Sequence, residues 1–144
     1  MAIGSGIAAQ LMMKAESSYN TAVVVDRTYE MDSESITHDL VKIDSAALGL
    51  GPVLQSARVK TFTRNHNGDI TFPVLNKNFG LIFQHMLGQN TVTGASANKT
   101  HTCILDSLAQ QGKFMTVQVG RPDVGGTVRA FTYAGGKITS WELM

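Results

Sequence analysis

Cysteine is nearly absent from this sequence, since Cys103 is the single thiol among 144 residues. One thiol cannot form an intramolecular disulfide, so the fold does not depend on an oxidising compartment, and a cytoplasmic origin is the simplest interpretation. No apolar run approaches the ~18 residues of a membrane span. No basic segment precedes the first apolar run, which argues against a signal peptide, and no membrane binding is predicted.

The sequence also lacks a strong excess of either charge, because 12 Lys and Arg stand against 11 Asp and Glu. Proteins that bind nucleic acid specifically usually carry a basic excess, so no such binding is predicted. The balance hides an uneven distribution. Residues 1–57 carry seven acids and three bases, residues 58–144 carry four acids and nine bases, and the stretch 26–44 alone holds six acids and two bases.

Motifs for catalysis and metal binding are missing as well. Nothing resembles the nucleophile turn GxSxG or the phosphate-binding GxxxxGK[ST]. His101 and Cys103 would share one strand face, but zinc requires three or four ligands and no second pair at ligand spacing is visible. His85 is expected at a packing margin. We therefore predict no enzyme activity, no catalytic residues, no metal and no cofactor.

Alternation of apolar and polar residues predicts strands along most of the chain. The range 29–43 has mostly the period of a strand, which would place Glu30, Asp32 and Glu34 on one face. Asn67-Gly68 predicts a tight turn before a strand that begins at Ile70. Four later segments alternate in the same way: "HTCILD", "KFMTVQVG", "GTVRAFTYA" and "KITSWELM". The last two flank Gly135-Gly136, which favours a terminal hairpin.

One segment changes to the period of a helix. The positions at i, i+3, i+4 and i+7 on its apolar face are Phe79, Ile82, Phe83 and Met86. A helix over residues 78–87 is predicted, with Gly88 as the glycine that ends it. Such a short helix must be stabilised by docking on a sheet. The predicted class is therefore mainly β, a β-sandwich or barrel flanked by one α-helix.

Two segments have no obvious partner within one small domain. Residues 1–24 are small and apolar with weak periodicity, so they are predicted to form an N-terminal arm that orders only against something else, ahead of a domain over 25–144. The loop "SAALGLGPVLQSARVK" is apolar although loops are usually polar. It either folds back on its own core or contacts a partner. In the second case the contact residues between subunits are Leu48, Leu50, Val53 and Leu54.

Four segments occur in an order that is similar to a known family. They are the start "MAIGSGIAAQLMMKAESSYNTAV", the strand "SESITHDLVKID", the helix "NKNFGLIFQHMLG" and the end "TVQVGRPDVGGTVRAFTYAGGKITSWEL". Together they resemble the tail tube proteins, or major tail proteins, of phages with long, non-contractile tails. The resemblance spans nearly the whole chain, and "TVQVGRPD" and "SWEL" contribute most to it. It implies a β-sandwich with a flanking helix, whose sheets join between subunits into a ring.

The resemblance also implies a function and a set of partners. The chain would be a structural virion protein, made in the host bacterial cytoplasm, that stacks in rings to form the channel for DNA ejection. Its partners would be copies of itself, other tail proteins, and DNA that passes without specific binding. Relatives often continue into a second, similar half. A one-domain chain favours six-fold rings, whereas the first half of a duplicated chain favours three-fold rings with pseudo-six-fold symmetry.

The acidic stretch 26–44 suggests how such a channel would treat DNA. Many phosphate contacts would stall a polyanion, whereas a weakly repelling wall would let it slide. Glu30, Asp32 and Glu34 are the predicted lumen wall, and the alternative for them is a solvated outer face. The alternative function, from a different class, is a monomeric small β-barrel that binds a ligand or a peptide.

Overall fold

The computed structural model describes residues 6–44, 59–75, 77–95 and 98–144. The strands in these ranges are β1 (Gln10–Ala15), β2 (Arg27–Tyr29), β3 (Ser33–Glu34), β4 (Thr37–Asp44), β5 (Val59–Asn67), β6 (Ile70–Thr71), β7 (Gly88–Thr93), β8 (Thr100–Leu105), β9 (Met115–Pro122) and β10 (Val128–Gly136). The helices are α1 (Phe79–Leu87) and α2 (Ser107–Gln111), with a 3-10 turn at Gly6–Ala8.

The mainly β class predicted from the sequence is confirmed. The described strands form one four-stranded sheet and three two-stranded sheets, and no sheet among them closes into a barrel. The described residues contain two α-helices, where one was predicted. The described residues fall into two compact units: the first unit runs up to Met31 and resumes at Phe72, and the second unit runs from Asp32 to Thr71.

The four-stranded sheet of the first unit is antiparallel, in the order β10-β9-β1-β2. Leu11 of β1 lies between Tyr29 of β2 and Val119 of β9, and these three side chains are buried on one face. Met13 and Val117 continue that face. Because side chains alternate along a strand, one apolar row is enough to bury this side of the sheet.

The position of β1 corrects the predicted N-terminal arm. Residues 10–15 are a central strand paired on both sides, rather than a segment without a partner in the chain. The adjacent apolar residues Met12 and Met13 obscured the alternation, because Met12 faces away from the buried row while Met13 belongs to it. The flanking strands β2 and β9 supply the partners that local reasoning did not find, and β9 lies far from β1 in the sequence.

A tight turn at Asp123 joins β9 and β10. Asp123 Oδ1 accepts hydrogen bonds of 2.9 Å from the backbone N–H groups of Gly125 and Thr127, and Gly126 has a φ of 81°. Strands were predicted on both sides of this turn, and both are confirmed. The predicted terminal hairpin is wrong, because β10 extends through Gly135 and Gly136 and residues 137–144 form no strand.

Helix α1 is confirmed, with a different buried face from the one predicted. Phe79, Ile82 and Met86 are buried, but Phe83 is only half-buried, and Leu81 and His85 are buried in its place. The helix ends as expected, since Gly88 has a φ of 98° and its N–H donates to the carbonyl of Gln84. The helix packs against β7, β8 and α2.

His85 lies in the core and not at a packing margin. It is 2% exposed, and its Nδ1 and Nε2 lie 2.8 Å and 3.2 Å from the carbonyl oxygens of Leu81 and Phe114. A polar ring can be buried only where its nitrogen atoms find such partners. The imidazole therefore links α1 to the segment that leads into β9.

The region around β7 and α2 has weak local sequence signals. Residues 88–93 are mostly polar, yet they form β7, which pairs with β8 from Gly88↔Leu105 to Thr93↔Thr100. Helix α2 was not predicted. Its signal is the N-cap residue Asp106, whose Oδ1 accepts the N–H of Ala109 at 3.0 Å.

The predicted strand over 29–43 is divided into three strands. It is interrupted after Tyr29 and again after Glu34, so β2 belongs to the first unit, and β3 and β4 belong to the second. The predicted strand from Ile70 ends at Thr71 and pairs with β3, not with β5 across the turn. Gly68 is required in that connection, because an added Cβ would lie 2.5 Å from Ile36 Cα.

Candidate assembly surface

The hairpin of β4 and β5 is the most exposed element of the second unit. The two strands pair from Thr37↔Asn67 to Asp44↔Val59. All side chains described on these strands, in residues 37–43 and 59–67, are exposed. Neither strand pairs with a third strand in the part of the chain that the structure describes.

Five exposed side chains of this hairpin are large and apolar, and they are distributed over both faces of the two-stranded ribbon. They are Leu40, Val41, Ile43, Val59 and Phe62. The most exposed is Phe62, at 72%, which lies opposite the register shift between Val41 and Lys42. We call these five side chains the hairpin patch.

An isolated two-stranded hairpin is marginally stable in water. Strands with unpaired edges also offer N–H and C=O groups to another chain. Large apolar side chains exposed on both faces of such an element leave apolar surface in water, and a partner that covers it removes that cost. The hairpin patch therefore has the properties of a docking surface.

Polar side chains of both signs surround the hairpin patch. Asp39 lies on β4, while Lys60 and Arg64 lie on β5. His38 and His66 are register partners, and their ring centroids are 4.4 Å apart. Partial burial, the nearby charge of His38 and the charge of Arg64 lower the pKa of His66 below its usual value.

The predicted subunit contacts Leu48, Leu50, Val53 and Leu54 lie outside the described residues. The chain that carries them connects β4 to β5, so the two described strands are its direct neighbours in sequence. Sequence reasoning proposed the connection as a contact region but missed the pairing of its flanking strands. The signal was the alternation of Lys60, Phe62, Arg64 and His66 with Thr and Asn in β5.

The predicted lumen residues do not share one strand. Glu30 is exposed, lies outside the strands and belongs to the first unit. Asp32 and Glu34 belong to the second unit, where Asp32 is exposed and Glu34 is half-buried in β3. The Oε2 atom of Glu34 accepts the N–H of Ile36 at 3.0 Å, so this carboxylate also has a local structural contact.

The outer strands of the four-stranded sheet form a second candidate surface, within the first unit. They are β2 and β10, and β10 carries Phe131, which is 44% exposed. The guanidinium of Arg121 lies 5.2 Å from the centre of the Phe131 ring, a distance that allows a cation–π contact. An outer strand that is exposed over Arg129–Thr132 can accept another strand beside it.

An open cleft lies on the other face of this sheet. Met12, Val23 and Val25 line it together with the polar residues Gln118 and Thr132. The Gln118 amide donates to the Thr132 hydroxyl at 2.8 Å, so the two polar groups of this lining are bonded to one another. A specific small-molecule site usually presents several convergent polar groups, and this cleft does not.

The described ranges include no group of three or more His, Cys, Asp or Glu side chains that could hold a metal ion. Within the same ranges, none of the helices combines the length and the apolar character needed to span a membrane. The chain matches no protein-family model and no curated protein sequence.

Proposed function

We propose that this chain is a structural subunit that assembles with copies of itself into stacked rings, which form the tail tube of a phage with a long, non-contractile tail. The observation that carries the proposal is the exposed hairpin of β4 and β5 with its apolar patch. A second copy is the occupant we infer, because the ordered sequence motifs resemble those of self-assembling tail tube proteins. Other tail proteins would cap the tube in the virion.

The outer strands of the large sheet support a ring within one layer. When β10 of one subunit pairs with β2 of the next, both edges become paired and the sheets form a continuous wall. The hairpin patch would then serve contacts between subunits. Burying such apolar side chains against another copy removes them from water, which is favourable by roughly 25 cal/mol per Å² of apolar surface.

The test of assembly is electron microscopy and sedimentation of the full chain and of two matched variants. Phe62→Asp places a carboxylate in the hairpin patch, and burying it without a partner is strongly unfavourable, so rings and tubes should not form. Val124→Asp also introduces a carboxylate, at a residue that is 68% exposed in the β9–β10 turn, and assembly should persist.

Circular dichroism of both variants is the check that each one folds. Normal tubes from Phe62→Asp would contradict the role of the hairpin. A parent chain that stays monomeric at high concentration would contradict the tube itself. Class averages of the rings would count their subunits and so distinguish six-fold from three-fold symmetry.

The lumen assignment is part of the same proposal. Glu30, Asp32 and Glu34 would give the channel a negative wall, repeated around each ring, along which DNA slides without specific binding. Glu30→Lys with Asp32→Lys should leave tubes intact and slow DNA ejection. Glu34 is left unchanged because its carboxylate accepts the Ile36 N–H.

The matched control for this pair of changes is Glu30→Gln with Asp32→Asn, which removes charge without reversing it. It should slow ejection less than the lysine variant does. Ejection at the parent rate from the lysine variant would place these carboxylates outside the channel.

A further inference from the structure

The two histidines of the β4–β5 hairpin form a pair across the strands. His38 and His66 are direct register partners, and their rings stand 4.4 Å apart at 45°. Both side chains are exposed. The other two histidines of the chain have different surroundings: His85 is buried between two carbonyl oxygens, and His101 lies 3.2 Å from Asn90 Oδ1.

We propose that His38 and His66 together bind a divalent transition-metal ion of the nickel, copper and zinc class. Imidazole nitrogen is a preferred ligand for these ions, whereas Mg²⁺ and Ca²⁺ prefer oxygen. Directly opposed side chains on antiparallel strands have Cβ atoms about 4.5–5.5 Å apart, which lets two imidazoles turn towards one ion. The hairpin backbone thus holds the two ligands near one another before the ion arrives.

Access to the pair suits a metal ligand. A histidine binds a metal ion through a nitrogen atom of its neutral ring. Both side chains are exposed, so an ion can approach the two rings from solvent.

The number of ligands indicates which ions fit. The described residues include no group of three or more metal-binding side chains, so the pair supplies two positions and water fills the rest. Structural zinc sites use four protein ligands, which this pair does not provide. Nickel(II) and copper(II) accept mixed nitrogen and oxygen coordination, so these two ions should bind more tightly than zinc.

Binding would connect β4 to β5 through a second link besides their backbone hydrogen bonds. A ligand that binds only the paired form stabilises that form by mass action. Because a two-stranded hairpin is marginally stable by itself, the ion should reduce its opening. This effect does not require assembly, so it can be tested whether or not the chain forms rings.

The experiment is calorimetric titration of the full chain with NiCl₂ at pH 7.5. One ion should bind per chain. His38→Asn and His66→Asn should each weaken binding by at least about tenfold, because the second imidazole of a chelate binds as an intramolecular ligand. His101→Asn removes an exposed histidine from β8 and is the matched control, and its affinity should equal that of the parent.

Hydrogen exchange on the parent chain and on the variants locates the site. Ni²⁺ should slow amide exchange in β4 and β5 of the parent and of His101→Asn, and should not slow it in His38→Asn. Protection centred outside the hairpin would overturn the proposal. So would an unchanged affinity in both hairpin variants, a loss of binding in His101→Asn, or no binding to the parent below millimolar Ni²⁺.

Discussion

The hydroxyl of Thr116 donates a hydrogen bond of 2.8 Å to the Glu16 carboxylate, joining residues that lie 100 positions apart in the sequence. The same hydroxyl accepts the N–H of Val23 at 3.1 Å, and the same carboxylate oxygen accepts the N–H of Gly135 at 2.8 Å. Thr116 is fully buried. Four separate segments of the first unit therefore meet at one polar cluster.

Replacing Thr116 by Val should destabilise the first unit by about 1–3 kcal/mol. The partly buried N–H of Val23 would lose its acceptor, and the Glu16 carboxylate would lose a donor. Denaturant unfolding monitored by circular dichroism measures this change. Thr28→Val is the control, since Thr28 is exposed on β2, and it should change stability by less than about 0.5 kcal/mol. Equal effects from the two variants would show that the cluster contributes nothing.

The buried face of α1 can be tested with two truncations on one helix. Ile82 is 3% exposed, so Ile82→Ala should cost about 2–5 kcal/mol through lost burial and a cavity. Phe83 is half-buried, so Phe83→Ala should cost less than the ~3–5 kcal/mol of a fully buried phenylalanine. The measurement is the midpoint of urea unfolding for each variant, compared when the unfolding free energy of both depends equally on urea concentration. A larger loss at Phe83 would contradict the observed orientation of the helix.

Two glycines have a positive φ, 157° at Gly68 and 81° at Gly126, but only Gly68 would also be crowded by a side chain. Gly68→Ala should severely destabilise the second unit, because its Cβ would lie 2.5 Å from Ile36 Cα and 2.6 Å from the Ser35 carbonyl oxygen. Gly126→Ala meets nothing within 4 Å, so only the positive φ of 81° opposes it, at roughly 1–2 kcal/mol. Amide exchange of β3 to β6 reports the first change. A mild Gly68→Ala phenotype would mean that these backbones separate easily.

The β9–β10 turn should depend on pH through Asp123. The N–H of Thr127, the guanidinium of Arg129 and the N–H of Gly125 hold the pKa of Asp123 below its ordinary value. A depressed pKa means that the ionised carboxylate stabilises the folded turn. That contribution is complete above the unfolded pKa and is lost as pH falls through the folded one.

NMR titration of the Asp123 carboxyl is the measurement for this prediction. Arg129→Gln should raise the pKa of Asp123, because it removes the guanidinium that lies 3.1 Å from Oδ2. Lys14→Gln is the control, because Lys14 pairs with Asp26, and it should leave the Asp123 titration unchanged. A titration of Asp123 at its ordinary pKa in the parent chain would refute the turn contacts.

Patterns contained within a single segment were predictable from the sequence. Alternation located β8, β9 and β10, and the helical period together with Gly88 located α1 and its end. Among the candidate site residues, the connection between β4 and β5 was recognised as apolar, but the hairpin patch beside it was not. Exposure of Phe62 depends on what covers β5, and the residues next to Phe62 in sequence do not contain that information.

What the sequence determined by itself was the type of each strongly patterned element, because periodicity acts through neighbours three or four residues away in a helix and two away in a strand. Tertiary structure alone decided the partners. It placed β1 between β2 and β9, turned His85 into a core residue, and left residues 137–144 outside any strand. The pairs Glu16–Thr116 and His38–His66 arise in the same way. Such contacts join distant segments, and their stability comes from burial and hydrogen bonding that exist only once the chain has folded.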